Sequence, residues 1–165
     1  MNTNSFVVRA YSLLVRGASY LQAPVLLIIR LYWGWEFFLT GKGKLSDLGK
    51  VTSFFADLHV PFPKFSAALV GTTECVGGLL LILGLASRLI SIPLIFLLCV
   101  AFVTADSEAL HSIFSDTDKF FAATPFLFLF ACVLVFVFGP GAISIDYLIG
   151  KKFRGPASGT TTSNA

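Results

Sequence analysis

The 165-residue sequence predicts an all-α, polytopic membrane protein: a bundle of four transmembrane helices with short helices at the membrane surface. Three observations predict it. The chain is 56% hydrophobic and only 13% charged, against about 25% charged in an ordinary soluble domain. Its mean hydropathy of +0.84 exceeds what one buried core helix would carry, so the apolar residues must be spread in segments of about 20 residues, each long enough to cross a bilayer. Glycines, prolines and short polar runs then divide the chain into four such segments. The connections use up the remaining length, so chemistry belongs within the bundle or to a partner protein.

Residues 1–22 read as a retained segment, because Arg9 and Arg16 interrupt what would be the apolar run of a cleaved signal peptide. Arg9, Ser12, Arg16 and Ser19 form one polar stripe at helical spacing, with Phe6, Val7, Leu14, Val15 and Leu21 on the rest of the surface. That pattern predicts a helix lying in the headgroup layer. The membrane domain proper is expected over residues 23–150. Its first crossing is Ala23 to Leu39, with Gly41, Lys42, Gly43 and Lys44 marking the exit. A second surface helix follows, opened by Ser46 or Asp47, carrying Leu48, Val51, Phe55 and Leu58 on one face, and closed by Pro61 and Pro63.

The second crossing is Phe65 to Ala86, and Ser87-Arg88 leaves room only for a tight turn before Leu89 to Ala105 returns. The fourth is Phe120 to Phe138, stopped by Gly139-Pro140-Gly141. Pro93 and Pro125 fall in the first turns of their helices, where a missing amide donor costs least. Residues 151–165 are expected to be a basic and then disordered tail, its end rich in Gly, Ser and Thr.

Four crossings put both termini on one side with Arg9, Arg16, Arg88, Lys151, Lys152 and Arg154, against Lys42, Lys44, Lys50, Lys64 and Lys119 on the other. The flanking basic residues and the acidic connection from Asp106 to Lys119 lean towards cytoplasmic termini. The net charge of +3 does not indicate nucleic acid, because the basic residues are scattered singly. Cys75, Cys99 and Cys132 each lie in an apolar stretch with no CxxC pair, and read as small hydrophobes. His59 and His111 both lie in connections, which argues against a haem held between helices. No metal site and no intrinsic cofactor site is apparent.

Three ionisable residues stand where a charge costs about 2.5–3.5 kcal/mol to insert: Arg30, Glu36 and Glu74. Taken from span midpoints, Arg30 and Glu74 lie at nearly the same depth, so antiparallel neighbours would pair them, either to fix register or as a functional centre. Glu36 lies about 9 Å further along the axis. It is either protonated, met by Lys44 reaching back, or completed by an external cation or proton-carrying substrate. Gly71, Gly77 and Gly78 surround Glu74 with small residues, which permits either close helix packing or a cleft for a flat ligand. Tyr32, Trp33 and Trp35 lie deep and are read as lining the interior near Arg30, as pocket wall or as packing.

Arg30-Leu31-Tyr32-Trp33-Gly34, Gly41-Lys42-Gly43-Lys44-Leu45, Glu74-Cys75-Val76-Gly77-Gly78 with Gly84 and Arg88, and Gly139-Pro140-Gly141-Ala142-Ile143-Ser144-Ile145-Asp146 together resemble the DoxX family. The likeness spans roughly Leu26 to Leu148. It implies a small four-helix protein of the bacterial inner (cytoplasmic) membrane, related to the small subunit type of thiosulfate:quinone oxidoreductase and to membrane partners of thiol-metabolism enzymes. It marks Arg30, Gly34, Gly41, Lys44, Glu74, Gly77, Gly78, Gly84, Arg88, Gly139, Pro140, Gly141 and Asp146. Glu36 departs from the pattern, since many relatives are apolar there. The leading expectation is a subunit that docks a redox enzyme and supports quinone-linked electron transfer, with Arg30 and Glu74 serving a quinone head group. The alternatives are a scaffold or assembly factor without turnover, and a small-solute transporter. A homo-oligomer is compatible with each.

Overall fold

The computed structural model describes residues 3–153, with side chains described for residues 7–152. The described chain is helical throughout, without strands: α1 (Thr3–Ser46), α2 (Leu48–Asp57), α3 (Pro63–Leu83), α4 (Ser87–Thr104), α5 (Ser107–His111), α6 (Thr117–Ala122), α7 (Thr124–Phe138) and α8 (Ile145–Phe153). Three of these, α1, α3 and α4, are long and apolar enough to cross a membrane, and α7 is a shorter apolar helix. The protein is therefore an all-helical membrane protein. The tail expected to be disordered falls at residues 154–165, outside the described residues.

Several boundaries differ from those read in the sequence. The surface segment and the first crossing are one continuous helix of 44 residues, about 66 Å long at 1.5 Å per residue. Pro24 lies inside it and removes one backbone donor without ending it. Gly41 and Gly43 do not mark an exit either. A β-carbon on Gly41 would strike the backbone of Gly71 and Cys75, so this glycine is there for close helix approach, and α1 runs on through Lys44 to Ser46.

The second surface helix forms as α2, capped by the Asp47 side chain, which accepts from the Lys50 amide. α3 ends at Gly84 in a left-handed conformation (φ 67°), where the Gly84 and Leu85 amides donate back to Leu81 and Leu80. The turn is thus Gly84 to Ala86, and α4 opens at Ser87. Pro125 sits in the first turn of α7 as expected, whereas Pro93 lies deeper, in the second turn of α4. The acidic connection contains the short helices α5 and α6, linked by Lys119 donating to Glu108 at 2.9 Å. α8 carries Lys151 and Lys152 on helix, so the basic stretch begins as ordered structure.

α1 packs antiparallel along α3, α3 turns into α4, and α4 packs on α7. The core between them is Phe37, Leu81, Leu94, Leu98, Cys132 and Val135. A second cluster of Phe102, Ala109 and Ala123 seals the end at α5 and α6, with Phe120 stacked on Phe102. Glycines set the spacing of α1 and α3. A β-carbon on Gly78 would lie 2.5 Å from the Gly34 carbonyl oxygen and 2.6 Å from the Phe38 nitrogen.

Candidate functional site

The polar residues divide between two ends of the α1–α3 pair. At one end Arg30, 1% exposed, donates from Nε to the Leu81 carbonyl (3.0 Å) and from Nη2 to the Ile82 (3.5 Å) and Ile143 (3.1 Å) carbonyls. Its Nη1 donates to the Pro140 carbonyl. These acceptors exist because α3 ends there. The last carbonyls of a helix lack their i+4 donors and carry the negative end of its dipole, and Arg30 meets two of them, Ile82 and Leu81, the latter shared with the Gly84 amide, while holding down the chain after α7.

Asp146 completes this clamp. Its carboxylate accepts from the Ala86 and Ser87 amides (2.7 and 3.0 Å) at the start of α4, and its own amide donates to the Gly84 carbonyl (3.0 Å). Arg88 donates to the Val137 carbonyl at 3.2 Å and lies beside Gly139. A side chain at Gly84 would run into Arg30 and Ser144.

At the other end Glu74, 7% exposed, accepts from Lys44 Nζ at 2.5 Å through Oε1. Its second oxygen, Oε2, is buried with no hydrogen-bond partner among the described residues. Arg30 and Glu74 are therefore not paired. The partners of Arg30 on α3 lie seven and eight residues beyond Glu74, about 10–12 Å along the axis. The expectation of equal depth fails because α1 continues past Leu39, which brings Lys44 down to Glu74. Glu36 is half-buried, with no hydrogen bond or ion pair among the described residues, and Lys44 does not reach back to it.

Lys44 and Glu74 border a half-open cavity of about 720 Å³ between α1, α2, α3, α4 and the start of α7. Its walls are apolar, including Phe37, Phe54, Phe55, Val70, Leu98 and Phe128. Of the residues expected to line a pocket, only Glu74 does so. Gly71 packs against Leu45 and Gly78 against Gly34, while Gly77 faces Leu94 of α4. Tyr32 is 58% exposed on the outer face of α1. Trp33 packs edge-on against Phe128 at 4.8 Å, behind the cavity wall. Missing from the expectation were α2, whose Val51, Phe54 and Phe55 close one side, and Lys44 as the partner of Glu74. Its signal was already in the sequence: the amphipathic run from Leu48 to Leu58, whose apolar face needs a surface to cover. No three His, Cys, Asp or Glu side chains gather as metal ligands among the described residues.

This geometry defines a class, a small helical membrane protein with a clamped helix pair and a largely apolar, half-open cavity headed by an ion pair. The chain belongs to the DoxX family, whose model matches residues 25–107. It is 26% identical over 137 residues to an uncharacterised protein of Haemophilus influenzae, covering 78% of this chain and 85% of that one. It is 29% identical over 83 residues to CatD of Bacillus subtilis, named as a candidate oxidoreductase, covering 50% of this chain and 60% of CatD. No solved structure matches.

Proposed function

We propose that this protein is the membrane subunit of a quinone-linked oxidoreductase in the bacterial inner membrane, its termini at the cytoplasmic face. It docks a redox enzyme at the bilayer and seats a quinone in the cavity beside Lys44 and Glu74. The observation that carries this reading is the buried Glu74 Oε2 without a hydrogen-bond partner, at the head of an apolar chamber of about 720 Å³. A cavity of that size falls within the range of small-molecule sites, which join apolar walls to a few placed polar groups. Glu74 and Lys44 would orient the ring, and the carboxylate can hold or pass the proton that accompanies quinone chemistry. The quinone supplies the two-electron carrier when bound, and electrons come from the docked partner. The oxidoreductase name of CatD supports the same direction.

The candidate centre is thus revised from Arg30, Glu36 and Glu74 to Lys44 and Glu74, with Arg30 assigned to the clamp. A scaffold without turnover is the second reading. It is favoured by how many of the family-marked residues, Gly34, Gly78, Arg30 and Asp146 among them, serve packing and capping.

The test is binding of a decyl-tailed benzoquinone to the purified protein, compared with Ala101→Phe, which adds a ring at the cavity wall. Saturable binding that weakens at least tenfold in a variant of unchanged melting temperature supports the quinone site. A protein that binds no quinone yet co-purifies with one stoichiometric partner is a scaffold.

A further inference from the structure

Glu74 carries its negative charge beside Lys44, and an ionised carboxylate offers acceptors only. Oε1 is taken by the lysine, and Oε2 is buried and waits for a donor. Three of the four hydroxyls on the cavity wall do not supply one, and the fourth, Thr124 at the start of α7, makes no bond to Oε2 either. Thr40 donates to the Phe37 carbonyl at 3.0 Å, Ser66 to the Pro61 carbonyl at 2.7 Å and Thr104 to the Val100 carbonyl at 2.8 Å. Each has its single hydrogen committed to backbone.

We infer that the head of this cavity selects a hydroxyl over a carbonyl. A hydroxyl donates its hydrogen to Glu74 Oε2 and still presents lone pairs to the Lys44 ammonium, so one oxygen satisfies both groups. A carbonyl can accept from Lys44 but leaves Oε2 bare, and a buried acceptor left unsatisfied carries its full desolvation penalty. The inference rests on the quinone reading proposed above and sharpens it. The ligand held more tightly is the reduced, hydroquinone form, the product of that electron transfer, and the oxidised form is held more weakly.

The experiment compares dissociation constants of the full-length protein for a decyl-tailed benzohydroquinone, kept reduced under argon, and for its benzoquinone. Wild type is expected to hold the hydroquinone at least tenfold more tightly, which raises the two-electron potential of the bound couple by about 30 mV. Glu74→Gln presents an amide that both donates and accepts, and should bring the ratio to within about twofold. Equal affinities in the wild type, or tighter binding of the quinone, overturn the inference while leaving the quinone site in place. Failure to bind either form removes the quinone reading and this inference together. A Glu74→Gln protein that melts with the wild type and keeps the tenfold ratio also overturns it, because the preference would then arise elsewhere. The wild-type ratio needs no variant, so the result stands even if Glu74→Gln does not fold.

Discussion

At the scale of single residues, Arg30 is held by backbone carbonyls at one end of the α1–α3 pair and Glu74 by Lys44 at the other. Arg30 and Glu74 stand out because a charge in an apolar helix is expensive. Their assignment to each other relied on span midpoints, and α1 runs on to Ser46. What Arg30 meets is carbonyl oxygen at the end of α3 and after α7, and a backbone acceptor has no letter in the sequence. Gly84 was visible as a glycine, but that its left-handed cap ends α3 beside Arg30, leaving the Ile82 carbonyl to the guanidinium, follows only from the fold. A double-mutant cycle separates the two pairings. Arg30→Met strands several buried carbonyls and should destabilise the protein by about 3 kcal/mol, in the range for breaking a buried charged network. Combined with Glu74→Gln, its effect should add to within about 0.5 kcal/mol, as for sites without a shared partner. Lys44→Met and Glu74→Gln, by contrast, should show a coupling of about 1 kcal/mol or more. Chemical denaturation in detergent reads the three single and two double variants against wild type. Coupling between Arg30 and Glu74 of the same size would contradict the two-ended arrangement.

At the scale of elements, the packing of α1 on α3 follows from a seven-residue glycine spacing on both helices. Gly34 and Gly41 on α1 face Gly78 and Gly71 on α3, in antiparallel order. Without a hydrophobic drive between helices in lipid, such close approach supplies the contact. The sequence left the glycines around Glu74 open to either packing or a cleft, because small residues serve both. The helix positions decide, since the space beside Gly78 is already filled by the α1 backbone. The real cavity lies on the side of Glu74 that α2 covers. Gly78→Ala should therefore destabilise the pair by about 2 kcal/mol or more, since backbone on both sides blocks the added carbon. Gly43→Ala has open space around it and should be neutral or stabilising by up to about 1 kcal/mol, because Ala is the better helix former. Melting temperatures of the two variants in one detergent, moving in opposite directions or only for Gly78, are the expected result. A stable Gly78→Ala protein would mean the helices can separate at no cost.

At the scale of the whole molecule, the number of crossings depends on α7, whose 15 residues cover about 22 Å against a hydrocarbon core of about 30 Å. Four crossings follow from where its ends are held rather than from its length. Arg30 and the α3–α4 turn lie at one end of the bundle, and the chain after α7 is fastened there by Pro140, Ile143 and Asp146, with Gly141 against Ala23 and Leu26. α4 leaves from that end and finishes at α5 and α6 on the other. α7 must therefore return across the same thickness, and α6 with Ala123 makes up part of the missing length before Pro125 restarts the helix. The apolar spans gave four crossings in the sequence, but the break at Ala123 was not read there, because Ala122, Ala123 and Thr124 carry no charge that would interrupt the apolar run. Ser12 and Lys151 should then face one side and Lys50 the other. With Cys75, Cys99 and Cys132 replaced, single cysteines at these positions can be labelled by a membrane-impermeant maleimide in right-side-out and inverted vesicles. The cysteines at 12 and 151 should react from the same side, and the one at 50 from the opposite side. Positions 12 and 151 reacting from opposite sides would leave α7 folded within one leaflet and α8 on the wrong side of the membrane, which the Asp146 cap on α4 does not permit.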